Sequence, residues 1–241
     1  VWSETQETKN LAIGFRTLTR TKLRLGVMCT VAPNQLIDLF VGFRARNPDI
    51  DLEIVDASAR DLHKRLLAGD LEVALYCAMG DLADERTHLM PLFRERMMIV
   101  LKRDHRLASD NAIRVSDLDG LNYLNRVNCE FIGHLAPHLL EQGVSCKTVY
   151  RSERDDWILA MVAAGLGYGF MPESCVAHPG IIMRPLTEPE FWREVNLVTV
   201  RGRPHSPAVG AFVREVMLAN WLGQKAIAMR QFSTSPDQVL Q

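Results

Sequence analysis

Between residues 23 and 76 the chain alternates three apolar stretches with two amphipathic ones, and that order leaves few ways to fold. LRLGVM (23–28) reads as a strand. Over 31–46, Leu36, Leu39, Phe40 and Phe43 share one helical face, and Pro33 suits a first turn. Asn47-Pro48 ends that helix, because the residue before proline avoids the α region. IDLEIVD (50–56) alternates apolar and polar residues, as a half-buried strand does. Ser58 suits the cap of a helix with Leu62, Leu66 and Leu67 on its buried side. Gly69 stops it, and LEVALY (71–76) is a third strand. Parallel strands need helical crossovers, so this β-α-β-α-β run predicts an open, mostly parallel sheet with helices packed on it.

A second unit follows. MMIVLK (97–102) is a strand and KRDHRLAS a polar connection. A helix is expected over 130–142, ending at Gly143, with Pro137 as a local irregularity. KTVYRS (147–152) is a strand, and 155–164 a helix with Ile158, Met161 and Val162 on one face. GLGYGFMP (165–172) reads as a glycine turn entering a buried strand, and VNLVTV (195–200) as another strand. Over 207–222 an amphipathic helix turns Val209, Phe212, Val213, Val216 and Leu218 inward. At the ends, Leu11, Phe15 and Leu18 mark a helix within 1–22, and FSTSPDQVLQ reads as a frayed tail. The last helix is free to return to the first unit. The chain then crosses twice between two lobes and leaves a cleft of strand ends and helix N-termini, where open α/β sheets bind ligands.

Composition removes several other functions. The 241 residues are 47% hydrophobic, enough to bury a core. They are 24% charged with a formal net charge of −1, without the basic excess of a chain that grips nucleic acid by itself. No apolar run approaches the roughly 20 residues that span a bilayer. The opening VWSETQETKN is too polar for a signal peptide, so the expected compartment is the cytosol, and the missing initiator Met makes a fragment the expectation. Cys29, Cys77, Cys129, Cys146 and Cys175 are odd in number and widely spaced, without a CxxC, and read as free thiols used as small apolar residues. No G-x-S-x-G, H-E-x-x-H or phosphate loop occurs. GLGYG follows a helix and opens a strand, the reverse of a dinucleotide fingerprint. His134 and His138, four apart, are the nearest approach to a metal-ligand pair, and they have no partners nearby in sequence. No catalysis, metal or cofactor is expected.

Three segments, in order, carry a resemblance. They are LRLGVMCTVAPNQLIDLFVGFRARNPDIDLEIVDASARDLHKRLLAGDLEVALY, PLFRERMMIVLKRDHRLA and ILAMVAAGLGYGFMPES. Together they resemble the regulatory part of LysR-type transcriptional regulators over roughly 1–222. Glu72 stands where Asp is commoner in that family, and Arg106 where Pro is. The resemblance implies a periplasmic-binding-protein-like (type 2) α/β fold of two Rossmann-like βα subdomains with an interlobe cleft. It divides the chain into the end of a linker helix (1–22), subdomain I (23–101 plus 204–224), subdomain II (102–203) and a C-terminal tail (225–241). It implies DNA contact only through an N-terminal winged helix-turn-helix that this chain lacks. It further implies a homodimer, tetrameric in the full protein, with helix 58–68 set against the final helix of a partner. A solute-binding protein of the same two-lobe fold, and an enzyme on that scaffold, are the alternatives.

The partner expected in the cleft is a small-molecule effector or an oxidant. Thr30, between the first strand and its helix, offers a hydroxyl beside free backbone N–H groups, or simply caps that helix. Its neighbour Val31, and Ala78 and Met79 after the third strand, complete the expected contacts of the first lobe. Cys129, Glu130 and Phe131 precede a helix of the second lobe. NRVNCEFIGHL resembles the segment that bears the reactive cysteine of peroxide-sensing members. A thiol at a helix N-terminus has its thiolate favoured, with Arg126 helping and Glu130 opposing. Two departures count against a redox role: His138 stands where those sensors have their second cysteine, and Ala59 where they have a hydroxyl. Cys29 and Cys77 end strands of the first lobe and are expected to face the same cleft. Ser152, Arg154 and Asp155 lie where a strand passes into a helix. There Arg154 is placed to hold a carboxylate, or the three form a surface cap.

Overall fold

In a computed structural model of the chain, residues 21–175, 178–219 and 221 are described. The expected helix within 1–22 and the tail from 225 lie outside them, except that Thr21 and Lys22 open the first strand. β1 (Thr21–Met28) leads through a 3-10 turn at Pro33–Gln35 into α1 (Ile37–Arg46), so the helix expected from 31 starts later. β2 (Ile50–Ala57) runs parallel to β1 in unbroken register, Thr21 to Ile50 and Met28 to Ala57. The Ser58 hydroxyl accepts from the Asp61 amide and caps α2 (Ala59–Ala68), which Gly69 ends in the left-handed region at φ 88°. α2 buries Leu62, His63 and Leu66; Leu67, expected inside, is only partly covered. β3 (Val73–Tyr76) is buried throughout and parallel to β1 on its other side.

Next come β4 (Thr87–Lys102), β5 (Ile113–Arg114) and β6 (Asn122–Arg126), then α3 (Ile132–Glu141), β7 (Lys147–Ser152) and α4 (Asp155–Ala163). β8 (Gly169–Pro172), β9 (Ile181–Thr187), β10 (Trp192–Val200) and α5 (Pro207–Leu218) complete the order. The main sheet runs β2-β1-β3-β10-β4-β9-β5, with β8 also on β4. Parallel pairing fills the β2-β1-β3 end, as the 23–76 run predicts, and the β9-β5 edge; the middle of the sheet is antiparallel. The reason is β4. It is 16 residues long, not the six of MMIVLK, and it pairs antiparallel with β10, β8 and β9. β6 and β7 form a separate parallel pair, bridged to the chain just before β8 through Tyr123 and Tyr168.

Side chains of the first core include Leu25, Phe43, Leu62, Leu75, Phe93, Leu197, Phe212 and Val216. A second core gathers Met97, Ile99, Leu118, Phe131, Phe170 and Phe191, and a third gathers Val100, Leu124, Ile158 and Val162. Met97, Ile99 and Val100 reach different cores because successive strand residues point to opposite faces. Thus β4 leaves the first core after Phe93, and β10 re-enters it at Val195. The expected boundaries at 101/102 and 203/204 lie beyond these points. Leu218 is 74% exposed on the last turn of α5, not part of its apolar side as expected.

Candidate functional site

Where β4 and β10 cross between the cores, a buried guanidinium gathers groups from three places. Arg193, on β10, is the register partner of Glu95 on β4. Its Nε and Nη2 donate to Glu95 Oε1 at 2.9 and 2.6 Å. Nη1 donates to the Thr30 hydroxyl at 2.8 Å and to Glu130 Oε1 at 2.6 Å, and Nη2 to the Thr30 carbonyl at 2.6 Å. Thr30 follows β1 in the first core's sheet, and Glu130 follows β6 in the second. One side chain on a crossing strand therefore ties both lobes. Burial works against its charge, and Glu130 and Glu95 more than offset that, holding it protonated above the usual guanidinium range. Arg126, at the end of β6, is the second buried guanidinium. It forks onto Asp155 at 2.6 and 3.0 Å and reaches the Phe170 carbonyl.

Beside this network lies an open groove of about 490 Å³. Met28, Cys77 and Met79 wall it from the first lobe, and Val127, Cys129, Glu130 and His134 from the second. Arg60 and Asp81 also line it and are hydrogen-bonded to each other.

Of the expected contacts, Met79, Cys129 and Glu130 line this groove. Thr30 is buried beneath Arg193 and caps nothing: the 3-10 turn after it is capped by Ala32, without a side-chain bond. Val31 is buried in the first core, and Ala78 packs against it. Phe131 is buried against the rings of Phe170 and Phe191. Ser152 Oγ accepts from the Arg154 amide at 3.0 Å, a local turn. The Arg154 side chain, expected to hold a carboxylate ligand, is spent on Asp156 at the surface, and Asp155 on Arg126. The arginines that matter are Arg126, which the sequence singles out only as a neighbour of Cys129, and Arg193, which it does not single out, together with Glu95. A signal did exist. Glu95 lies between Phe93 and Met97, and Arg193 between Phe191 and Val195, on inward strand positions where an unpaired charge is not tolerated.

The cysteines are all free. Cys129 is buried, and burial first, then Glu130, pushes its thiol up to about 11 against the pull of Arg126. Cys129, expected at a helix N-terminus, lies three residues before α3, which starts at Ile132, and burial outweighs the pull of Arg126. Burial likewise drives Cys77 up to about 12 and Cys29 to about 11. Cys77 lines the groove with Cys129. His134 also lines it, whereas His138 lies 3.4 Å from Glu141, and no group of three metal-binding side chains forms among the described residues. None of the helices among those residues is long and apolar enough to cross a membrane.

The family model for the LysR substrate binding domain matches residues 16–219. The hydrogen peroxide-inducible genes activator of Haemophilus influenzae is 25% identical over 80% of this chain and 64% of its own length. The DNA-binding transcriptional dual regulator OxyR of Escherichia coli is 26% identical over 77% of this chain and 61% of its own. The chain thus spans less than two thirds of the length of these relatives. Among solved structures, the C-terminal domain of a probable LysR family transcriptional regulator from Rhodococcus superposes with a TM-score of 0.73 at 24% identity, covering 83% of this chain and all of that domain.

Proposed function

The chain belongs to the LysR substrate binding domain family, and from that membership we propose that it is the signal-sensing part of a transcription regulator whose effector sits in the groove beside Glu130. The carrying observation is the Arg193 network. Glu130 belongs to the groove and to the bonds that tie both lobes, so whatever binds there acts on their relative orientation. A ligand that fits one orientation better shifts the population toward it. We divide the lobes where β4 and β10 change cores: Thr21–Phe93 with Val195–Leu218, and Met97–Phe191.

The solute-binding alternative is set aside, since the matched family and relatives are regulators. Among the described residues the buried Glu95 and the partly buried Asp155 are committed to arginines and Glu130 shares one oxygen with Arg193, which favours a sensor over an enzyme. DNA contact belongs to a winged helix-turn-helix outside this chain. Copies of the chain pair through the β2 edge and α1, where Ile54, Ile37 and Val41 are exposed. The other pairing expected from the sequence, α2 against the final helix of a partner, would set the exposed Arg60 and Lys64 of α2 against the exposed Met217 and Leu218 of α5. One relative is named for hydrogen peroxide-inducible genes, yet the buried, protonated Cys129 thiol favours a small molecule over direct oxidation. A thermal-shift screen of metabolites and oxidants tests this. A ligand at 100 times its Kd adds about 2.7 kcal/mol of stability, and Met79→Trp, which fills the groove, is expected to abolish the shift. Binding that survives Met79→Trp moves the site elsewhere.

A further inference from the structure

The Arg193 network carries an unbalanced negative charge into the groove wall. One guanidinium, fully buried, faces two carboxylates whose side chains are 1% and 5% exposed. Glu95 uses both oxygens: Oε1 accepts from Arg193, and Oε2 from the Ser174 hydroxyl. Glu130 uses one. Its Oε2 is buried without a hydrogen-bond partner among the described residues. Arg126 feels Glu130 through space but gives its hydrogen bonds to Asp155 and the Phe170 carbonyl, and the one arginine lining the groove, Arg60, is committed to Asp81. A buried acceptor left unpaired and a buried net charge are each costly, and a bound N–H donor removes both. The rest of the wall sets soft apolar groups, the thioethers of Met28 and Met79, the protonated thiols of Cys77 and Cys129, and Val127, beside the polar side chains of Ser58, Asn128 and His134. Sulfur-rich walls pack well against aromatic or alkyl bodies.

Resting on the sensor reading above, we propose that the effector is an amphiphile with an amine, amidine or similar cationic N–H head on an apolar body. Glu130, which lines the groove, turns its unpartnered oxygen to the head, and carboxylate-headed compounds are repelled. The fourth ligand of the network is then the effector itself, which shares Glu130 with Arg193.

Calorimetric titration of the 241-residue chain with matched pairs tests this: phenethylamine against phenylacetate, benzamidine against benzoate, hexylamine against hexanoate. In at least one pair the cation is expected to bind about tenfold or more tightly than its carboxylate twin. Glu130→Gln, which keeps the shape, is expected to erase that preference, and Glu130→Asp, which keeps the charge, to retain part of it. Met79→Trp is expected to remove binding altogether. Carboxylates that bind as tightly as the cations, and are lost in Met79→Trp, overturn the proposal and leave the sensor reading standing. A cation preference unchanged in Glu130→Gln also overturns it. Should no member of any pair bind at millimolar concentration, the proposal fails, and the sensor reading rests on the metabolite screen.

Discussion

Truncating Arg193 strands Glu95 and Glu130 in a site from which water is excluded. Arg193→Ala is therefore expected to cost about 3–5 kcal/mol in urea unfolding. Arg193→Lys restores a charge but not the fork that serves Thr30, Glu95 and Glu130 together, so it recovers only part of that loss. A loss below about 1 kcal/mol for the alanine variant is what an exposed pair gives, and it removes the network from the account. Cys129 makes a second prediction. With its thiol raised to about 11, the reactive thiolate at pH 7 is roughly one part in ten thousand, and it grows as pH rises toward that value. Iodoacetamide labelling of Cys129, followed by mass spectrometry, is expected to accelerate about tenfold per pH unit between 7 and 10. A rate already flat at pH 7 restores the low-pKa sensor. Sequence revealed the inward charges in principle, since Arg193 interrupts an apolar alternation. It did not reveal their pairing, because Arg193 and Thr30 are 163 positions apart and meet only when the sheet forms.

Strong periodicity explains why the first five elements were legible, and weak periodicity explains what was not. Leu62 and Leu66 on a helix capped by Ser58 and closed by Gly69 need no tertiary context. β5 is two residues, β6 reads NYLNR, and β9 contains Pro185; each is a strand only because a neighbour supplies the pairing. β4 was read at a fraction of its length because Arg94, Glu95 and Arg96 interrupt its apolar pattern where it crosses between cores. The glycines of GLGYG find their meaning here too. A Cβ on Gly167 would lie 2.5 Å from the Asn122 carbonyl, which accepts from the Tyr168 amide at 2.9 Å. Gly167→Ala forces β6 away from the approach to β8 and is expected to cost about 1–3 kcal/mol. Hydrogen exchange at the Tyr168 amide checks it: protection unchanged from wild type means that the strands did not need the close approach.

The proposed self-association rests on where apolar surface is left uncovered. Ile37 and Val41 stand one turn apart on α1 and are 52% and 63% exposed, next in sequence to β2, which is the sheet edge. Val41→Glu is expected to shift sedimentation toward the monomer with little change in unfolding free energy, since an exposed position contributes little to the fold. An unaltered dimer places the interface on another face. The two-lobe plan is legible from the element order alone, whereas the grouping of Ile37, Val41 and Ile54 is not, because exposed apolar residues are common and only their position in space brings them together. The crossing itself has a mechanical consequence. β4 and β10 are laddered together from Trp192 opposite Arg96 to Val200 opposite Thr87, with one irregularity at Val195/Asn196. Lobes on such a ribbon do not swing like a door on slack cords; they twist a torsion bar. On the proposed reading, release of the effector lets the bar unwind, and the resting posture returns without any separate agent to reset it.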